Sequence, residues 1–329
     1  MRTIDWVDGA ITMIDQTALP AQELWLRLST VADVVDAIQR LAVRGAPAIG
    51  VAGAFGVALA ARQFAGDPAK IDQSVRELAT ARPTAVNLAR GVRLAAAALP
   101  DGPDAVLAAA LALRDAEIAA SEAMAHRGAD LVERLCGQSP RLLTHCNTGG
   151  LATVTGGTAL AVVAELHRRG ALAEVFASET RPLLQGARLT SWELDRLGIT
   201  FRVAVDGAGP FLMARGQVDA VILGSDRICA NFDVVNKVGS YSHALGARAA
   251  GIPFIVVAPE STVDEATASG AEVEIEDRGP DEVLGFGAVR VTPAGAGAVN
   301  PAFDVTPHHL VTAVVTDQRV IFPNQAEAG

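Results

Sequence analysis

The 329-residue chain is poor in lysine, cysteine and aromatic rings. Lysine occurs only at Lys70 and Lys237, aromatic residues make up 4%, and 27 Lys and Arg face 37 Asp and Glu for a net charge of −10. Such a chain has neither the cationic stripe nor the stacking surfaces that nucleic-acid binders use, so no nucleic-acid role is expected. The three cysteines, Cys136, Cys146 and Cys229, are odd in number and show no C-x-x-C spacing. That argues against a disulfide framework or structural zinc and fits a reducing cytoplasm. No apolar run reaches the ~18–20 residues that cross a bilayer. The longest, Ala46–Ala61, is interrupted by Gly50, Gly53 and Gly56 and reads as a buried helix. The acidic N-terminus, with Asp5 and Asp8, has no apolar core of signal-peptide length, so secretion is not expected. Half the residues are hydrophobic and 19% are charged, which excludes intrinsic disorder, and the length suggests two domains.

Patterning changes along the chain. Arg2 to Leu19 alternates around Asp8-Gly9, a tight-turn dipeptide, and reads as a small N-terminal sheet. Helical spacing then runs through Val31–Ile38, Ala46–Ala61, Ile71–Ala81, Val86–Leu99 and Ala105–Cys136. After Pro140, short β-branched runs alternate with helical stretches: Arg141–Thr144, Glu174–Ala177, Thr200–Val205, Ala220–Leu223, Pro253–Val257 and Leu310–Thr316. The expected architecture is α/β, with a mainly helical domain bearing a small antiparallel sheet over 1–130. A Rossmann-like, doubly wound parallel sheet is expected over 131–329. Glu272–Val291 alternates Val273 and Ile275 with acids and reads as an added strand and loop.

In an open α/β sheet, ligands sit beyond the carboxyl ends of the strands. The groups found there are Thr144-His145-Cys146-Asn147, Ser178-Glu179-Thr180-Arg181, Asp206-Gly207 and Gly224-Ser225-Asp226-Arg227. Cys146 precedes Gly149-Gly150, and a helix start there lowers a thiol's pKa, which makes it a base or nucleophile; the competing role is a small buried hydrophobe. His145 points to the opposite face of its strand and is read as a packing residue. The other histidines, 126, 167, 243, 308 and 309, lack metal-ligand spacing, and no metal is expected. Asp226 follows an apolar strand whose desolvation raises a carboxyl pKa, unless Arg227 faces it; a turn or cap aspartate is the alternative.

Asn236 and Lys237 are expected near the start of a helix through Tyr241 and Ala244, where a lysine beside backbone amides suits a phosphate. Arg44-Gly45-Ala46-Pro47 follows the same logic, and Arg82-Pro83-Thr84 repeats it with Thr84 as a cap. Such starts in both halves favour a shared anionic ligand. The glycine-rich run after Asn147 lacks G-x-G-x-x-G in register, so a dinucleotide is the minor reading, and no P-loop motif occurs.

Taken together, Arg44-Gly-Ala-Pro-Ala-Ile-Gly50, Arg82-Pro-Thr-Ala-Val-Asn-Leu88, Thr144 to Thr153, Glu179 to Thr190, Gly224-Ser-Asp-Arg-Ile228, Asn236-Lys-Val-Gly239 and Asn300 to Pro307 resemble the methylthioribose-1-phosphate isomerase family across nearly the whole chain. Regulatory subunits of a translation initiation factor and ribose-1,5-bisphosphate isomerases share that fold. The resemblance implies a cofactor-independent aldose–ketose isomerase of methionine salvage, usually a homodimer, acting on a sugar 1-phosphate. It implies Cys146 and Asp226 as the catalytic pair, meeting in a water-poor hollow, and Arg44, Gly45, Ala46, Arg82, Gln185, Asn236 and Lys237 as substrate holders. Phe232 and Val234-Val235 stand where the family usually has a Gly and a Thr-Ala pair, so a narrower or greasier pocket is expected beside Asp226. Isomerisation of 5-deoxyribose 1-phosphate, or non-catalytic sugar-phosphate or nucleotide sensing, are the alternatives.

Overall fold

The computed structural model describes residues 1–83, 85–287 and 289–324. The chain divides into two compact units: Met1–Glu122 with Thr148–Gly157, and Ala123–Asn147 with the chain from Thr158 on.

In the first unit, the Asp8-Gly9 turn joins β1 (Ile4–Val7) to β2 (Ala10–Ile14), and β3 (Trp25–Leu28) completes an antiparallel sheet. Helix α1 (Val31–Gln39) starts at a capping box in which Thr30 Oγ1 accepts from Asp33 N and the Asp33 carboxylate accepts from Thr30 N. Helix α2 (Ala46–Gln63) is buried from Ala48 to Ala61. A helix that is apolar all round belongs at the centre of a core, and α1, α3 (Pro68–Thr80) and α4 (Val86–Ala96) pack Val34, Ile38, Leu78 and Leu88 into the same cluster as Phe55. Helix α5 (Pro103–Cys136) starts in this unit, and its residues from Ala123 on belong to the second.

The second unit contains β4 (Arg141–Thr144), α6 (Ala159–Arg168), β5 (Glu174–Ser178), α7 (Ser191–Arg196), β6 (Phe201–Ala204), α8 (Ala208–Ala214) and β7 (Ala220–Leu223). Strands β8 (Arg227–Cys229) and β9 (Val234–Lys237) are the central strands of a four-stranded side sheet whose edges come later in the chain; α9 (Ser240–Ala250), β10 (Phe254–Val257) and β11 (Val263–Asp264) follow. The chain continues through α10 (Asp281–Leu284), β12 (Gly285–Phe286), β13 (Val289–Arg290), β14 (Phe303–Thr306), β15 (Ala313–Val315) and β16 (Val320–Ile321). Seven strands form the main sheet in the order β16-β15-β10-β7-β4-β5-β6, and every pair is parallel except β15–β16. The interior strands β7, β10 and β15 are buried along their whole length, as parallel strands covered on both faces require. The chain winds from β4 outward through β5 to β6, then returns to the other side of β4 with β7. Strand order therefore reverses between β4 and β7, where such sheets bind ligands.

Three expectations need correction. Residues 273–275 form no strand; the segment instead carries α10 and the β12–β13 hairpin, with Ala288 outside the described residues. The last predicted strand shortens to Ala313–Val315, because Pro307 starts a single 3-10 turn at His308–Leu310. Asn236 and Lys237 do not open a helix: they end β9, paired with Asp304 and Phe303 of β14, and α9 begins only at Ser240. The β-branched Val234-Val235 pair, both buried, outweighs the helix-start signal there. No helix among the described residues is long and apolar enough to cross a membrane.

Candidate active site

Cys146 lies two residues beyond β4, 9% exposed, with a backbone φ of 63°. A non-glycine residue in the left-handed region is held there by its surroundings. Its amide donates to Thr180 Oγ1 at 2.9 Å, and its carbonyl accepts from Thr190 Oγ1 at 2.6 Å. Both threonines are fully buried. Thr190 ends a π-helical segment, Gly186–Thr190, a distortion that often marks functional sites. The expected helix directly after Cys146 is absent: one short turn at Gly150–Ala152 follows, and α6 starts at Ala159. The backbone of the thiol-bearing residue is set by side-chain hydroxyls, one of them from Thr190 at the start of α7.

His145 turns away from the thiol, as strand alternation demands. Its Nε2 donates to Val238 O at 2.8 Å, and its Nδ1 lies 3.3 Å from His243 Nε2. Burial pushes both imidazoles below the ordinary histidine range, His243 to about 3, so both are neutral at physiological pH. The ring joins the residue after Cys146's strand to the residue after Lys237.

Asp226 follows β7, the strand beside β4, and its amide donates to Val235 O at 3.0 Å, one residue before Asn236. The carboxylate is exposed, contrary to the expectation that the apolar strand end buries it. The reason is local: Gly224 and Ser225 carry the chain past the sheet's edge, and Ser225 Oγ is tied to Arg227 O and Val235 O. Arg227 pairs with Asp264 at 3.2 Å and Thr267 Oγ1 at 3.1 Å. Val234 is buried in the hydrophobic core of the second unit, and the partly buried Phe232 packs against it. Phe232 has a φ of 66°, a conformation natural to glycine.

Asn236 is buried and donates to Ser240 Oγ at 2.8 Å. Lys237 Nζ donates to Ala302 O at 2.7 Å and lies 4.7 Å from the Phe303 ring centroid. Next to them Asp304 accepts from the amides of Gly239 and Tyr241. Burial nevertheless raises its carboxyl to about 6, against those amides and the pull of Lys237. Gln185 is buried, and its Oε1 has no hydrogen-bond partner among the described residues. A Cβ on the neighbouring Gly186 would meet Ser178 O at 1.7 Å, so only glycine lets Gln185 approach the end of β5 this closely. A buried acceptor without a donor is costly, and a ligand hydroxyl would satisfy it.

The second unit thus gathers Cys146, Gln185, Asp226, Asn236 and Lys237 along the carboxyl edge of its sheets. Arg44, Gly45, Ala46 and Arg82 belong to the first unit. There Gly45 caps α2, Ala46 is the helix's first residue and Pro47 lies in its first turn. Gly45 has a φ of 98°, and a Cβ on it would meet the Ala152 backbone at 2.6 Å. What Gly45 approaches is therefore this chain's own backbone, where the sequence suggested a ligand. Arg44 Nε donates to Gln16 Oε1 at 3.0 Å, and Gln16 Nε2 to Leu151 O at 2.7 Å. Arg82 precedes α4, which is capped at Ala85 without a side-chain bond; Thr84 lies outside the described residues. Sequence reasoning passed over Gln16, Thr190 and the roles of Thr180 and Asp206, although the strand-end rule pointed to the last two.

A family model described as the initiation factor 2 subunit family matches residues 42–323. The chain belongs to this family. Among its relatives, the probable bifunctional methylthioribose-1-phosphate isomerase/methylthioribulose-1-phosphate dehydratase of Nocardia farcinica is 50% identical over 98% of this chain. The chain spans 60% of that protein's length. The methylthioribose-1-phosphate isomerase of Anaeromyxobacter dehalogenans is 51% identical, covering 94% of this chain and 90% of its own. The 5-deoxyribose 1-phosphate isomerase of Moorella thermoacetica is 48% identical, over 97% and 94%. Among solved structures, 5-methylthioribose 1-phosphate isomerase from Pyrococcus horikoshii superposes with a TM-score of 0.91 at 38% identity, covering 98% of this chain and 92% of that one. The A. fulgidus chain described as translation initiation factor eIF-2B, subunit delta, gives 0.88 at 40% identity, over 99% and 97%. The mixed α/β fold with its parallel-rich sheet is the fold of this family.

Proposed function

We propose that the chain is an aldose–ketose isomerase converting 5-methylthioribose 1-phosphate to 5-methylthioribulose 1-phosphate in methionine salvage. The observation that carries this reading is the identity of about half, over nearly the whole chain, to proteins named for that reaction. It is supported by a thiol and a carboxylate following the two strands where sheet order reverses.

The substrate's anomeric oxygen carries the phosphate, so the ring cannot open by hemiacetal reversal. In the proposed reaction Asp226 donates a proton to the ring oxygen as its bond to C1 breaks. The hydrogen on C2 then moves to C1, and the C2 hydroxyl becomes the ketone. Either Cys146 as thiolate removes the C2 proton and returns it to C1 of the resulting enol, or hydride migrates directly from C2 to C1; in both routes the C2 hydroxyl loses its proton, which restores the Asp226 acid. Asp226 is exposed, so as the acid it must be covered by the bound sugar itself. Gln185 Oε1 accepts from a sugar hydroxyl, and Asn236 and Lys237 hold the phosphate and remaining hydroxyls.

We also read the seven-stranded sheet as Rossmann-like and doubly wound, and the first unit as a mainly helical domain. The protein is read as a cytoplasmic homodimer; cysteines held outside disulfides fit that compartment. The Moorella relative favours 5-deoxyribose 1-phosphate as a second substrate, since a methylthio and a methyl group in an apolar site differ by only about 1–3 kcal/mol. Side-by-side turnover of methylthio-, deoxy- and 5-phospho-ribose 1-phosphates tests the reading. The methylthio sugar should have the highest kcat/KM; no turnover of any of them, with binding retained, would instead favour a sensor.

A further inference from the structure

We propose that Asp206 is a positioning residue for this reaction, acting through Thr180 to hold Cys146 in its left-handed backbone conformation. The proposal rests on the reading of Cys146 as the reacting thiol. Three adjacent strand ends carry it: Asp206 is two residues beyond β6, Thr180 two beyond β5 and Cys146 two beyond β4, and these strands are neighbours in the sheet. Asp206 Oδ1 accepts from Ser178 Oγ at 2.5 Å and Thr180 N at 2.8 Å, and Oδ2 accepts from Arg181 N at 2.7 Å. All three donors belong to one turn. Burial works to raise the carboxyl pKa, yet these donors hold it below the usual range, so the group is a carboxylate.

That turn needs holding, because Thr180 is itself left-handed at a φ of 66°. Its hydroxyl donates to Ser178 O at 2.9 Å, which leaves its oxygen aimed to accept from the Cys146 amide. The carboxylate therefore fixes the turn, the turn orients the hydroxyl, and the hydroxyl fixes the backbone of the thiol-bearing residue. Asp206→Asn keeps the shape but turns one acceptor into a donor facing an N–H or O–H, so the turn must shift. Thr180→Val removes the acceptor, whereas Thr180→Ser keeps it.

The test measures kcat, KM and the pH dependence of Cys146 alkylation by iodoacetamide, read on the Cys146 peptide by mass spectrometry. Asp206→Asn and Thr180→Val should each lower kcat by ~10²-fold, the cost of a small misplacement of a reacting group, with KM little changed and the alkylation profile displaced. Thr180→Ser should restore both. Wild-type kcat and alkylation in folded Asp206→Asn, with only thermal stability reduced, overturns the proposal. If Asp206→Asn does not fold, the Thr180→Val and Thr180→Ser pair decides on the same readouts. If the wild type turns over no sugar phosphate, the functional reading fails, while alkylation still reports whether Asp206 positions the thiol.

Discussion

Asp304 gives the protein a built-in pH dependence whose size follows from its surroundings. Its carboxyl is raised from 3.8 to about 6 by burial beside β9, and two amides and Lys237 do not offset that cost. A rise of about two pKa units corresponds to about 3 kcal/mol between the charged and neutral forms. Because the folded state binds this proton more tightly than the unfolded chain does, the contribution is fully present below pH 3.8. It is lost as pH rises through about 6. Asp304→Asn removes the titration and keeps an acceptor for the Gly239 and Tyr241 amides. Urea unfolding of both proteins at a series of pH values isolates the effect as a difference, cancelling groups of opposite sign such as Glu165, held at about 2 by Arg168. Relative to the variant, the wild type should lose about 3 kcal/mol between roughly pH 4 and 7. A flat difference across that range would refute the reasoning.

Two further substitutions probe the site's construction. Gly45→Ala places a Cβ 2.6 Å from the Ala152 backbone at a φ of 98°, and should cost at least ~1–3 kcal/mol in thermal or urea unfolding; an unchanged midpoint contradicts the close approach. Gln185→Met removes a buried acceptor that has no partner among the described residues, so stability should hold or rise while KM increases ~10-fold for one lost hydrogen bond; a destabilised variant with normal KM would reverse the assignment.

Much of the fold was legible in the residues. The short runs Arg141–Thr144 and Ala220–Leu223 announced β4 and β7 to the residue, because an interior parallel strand is buried on both faces and leaves few polar positions. Edge strand β3 was missed, since Trp25 and Arg27 are exposed and leave only a weak alternation. The β8–β9 pair was hidden by Phe232, whose left-handed turn carries no glycine to signal it. Residue types and strand ends singled out Cys146 and Asp226, and the structure places each just beyond its strand, β4 and β7. The left-handed backbone at Cys146 and Thr180 depends on hydroxyls and a carboxylate distant in sequence, and no local pattern encodes it. The exposure of Asp226 follows from two residues of chain beyond β7, which apolarity of the strand could not convey.

The account depends on Cys146 and Asp226 performing the isomerisation together. Turnover of 5-methylthioribose 1-phosphate by Cys146→Ser and by Asp226→Asn, with substrate affinity measured by calorimetry on the same samples, addresses this directly. Each variant should bind the sugar phosphate yet lose ~10³-fold or more in kcat, the scale of losing an acid, base or nucleophile. Near-normal turnover in either variant would contradict the assignment.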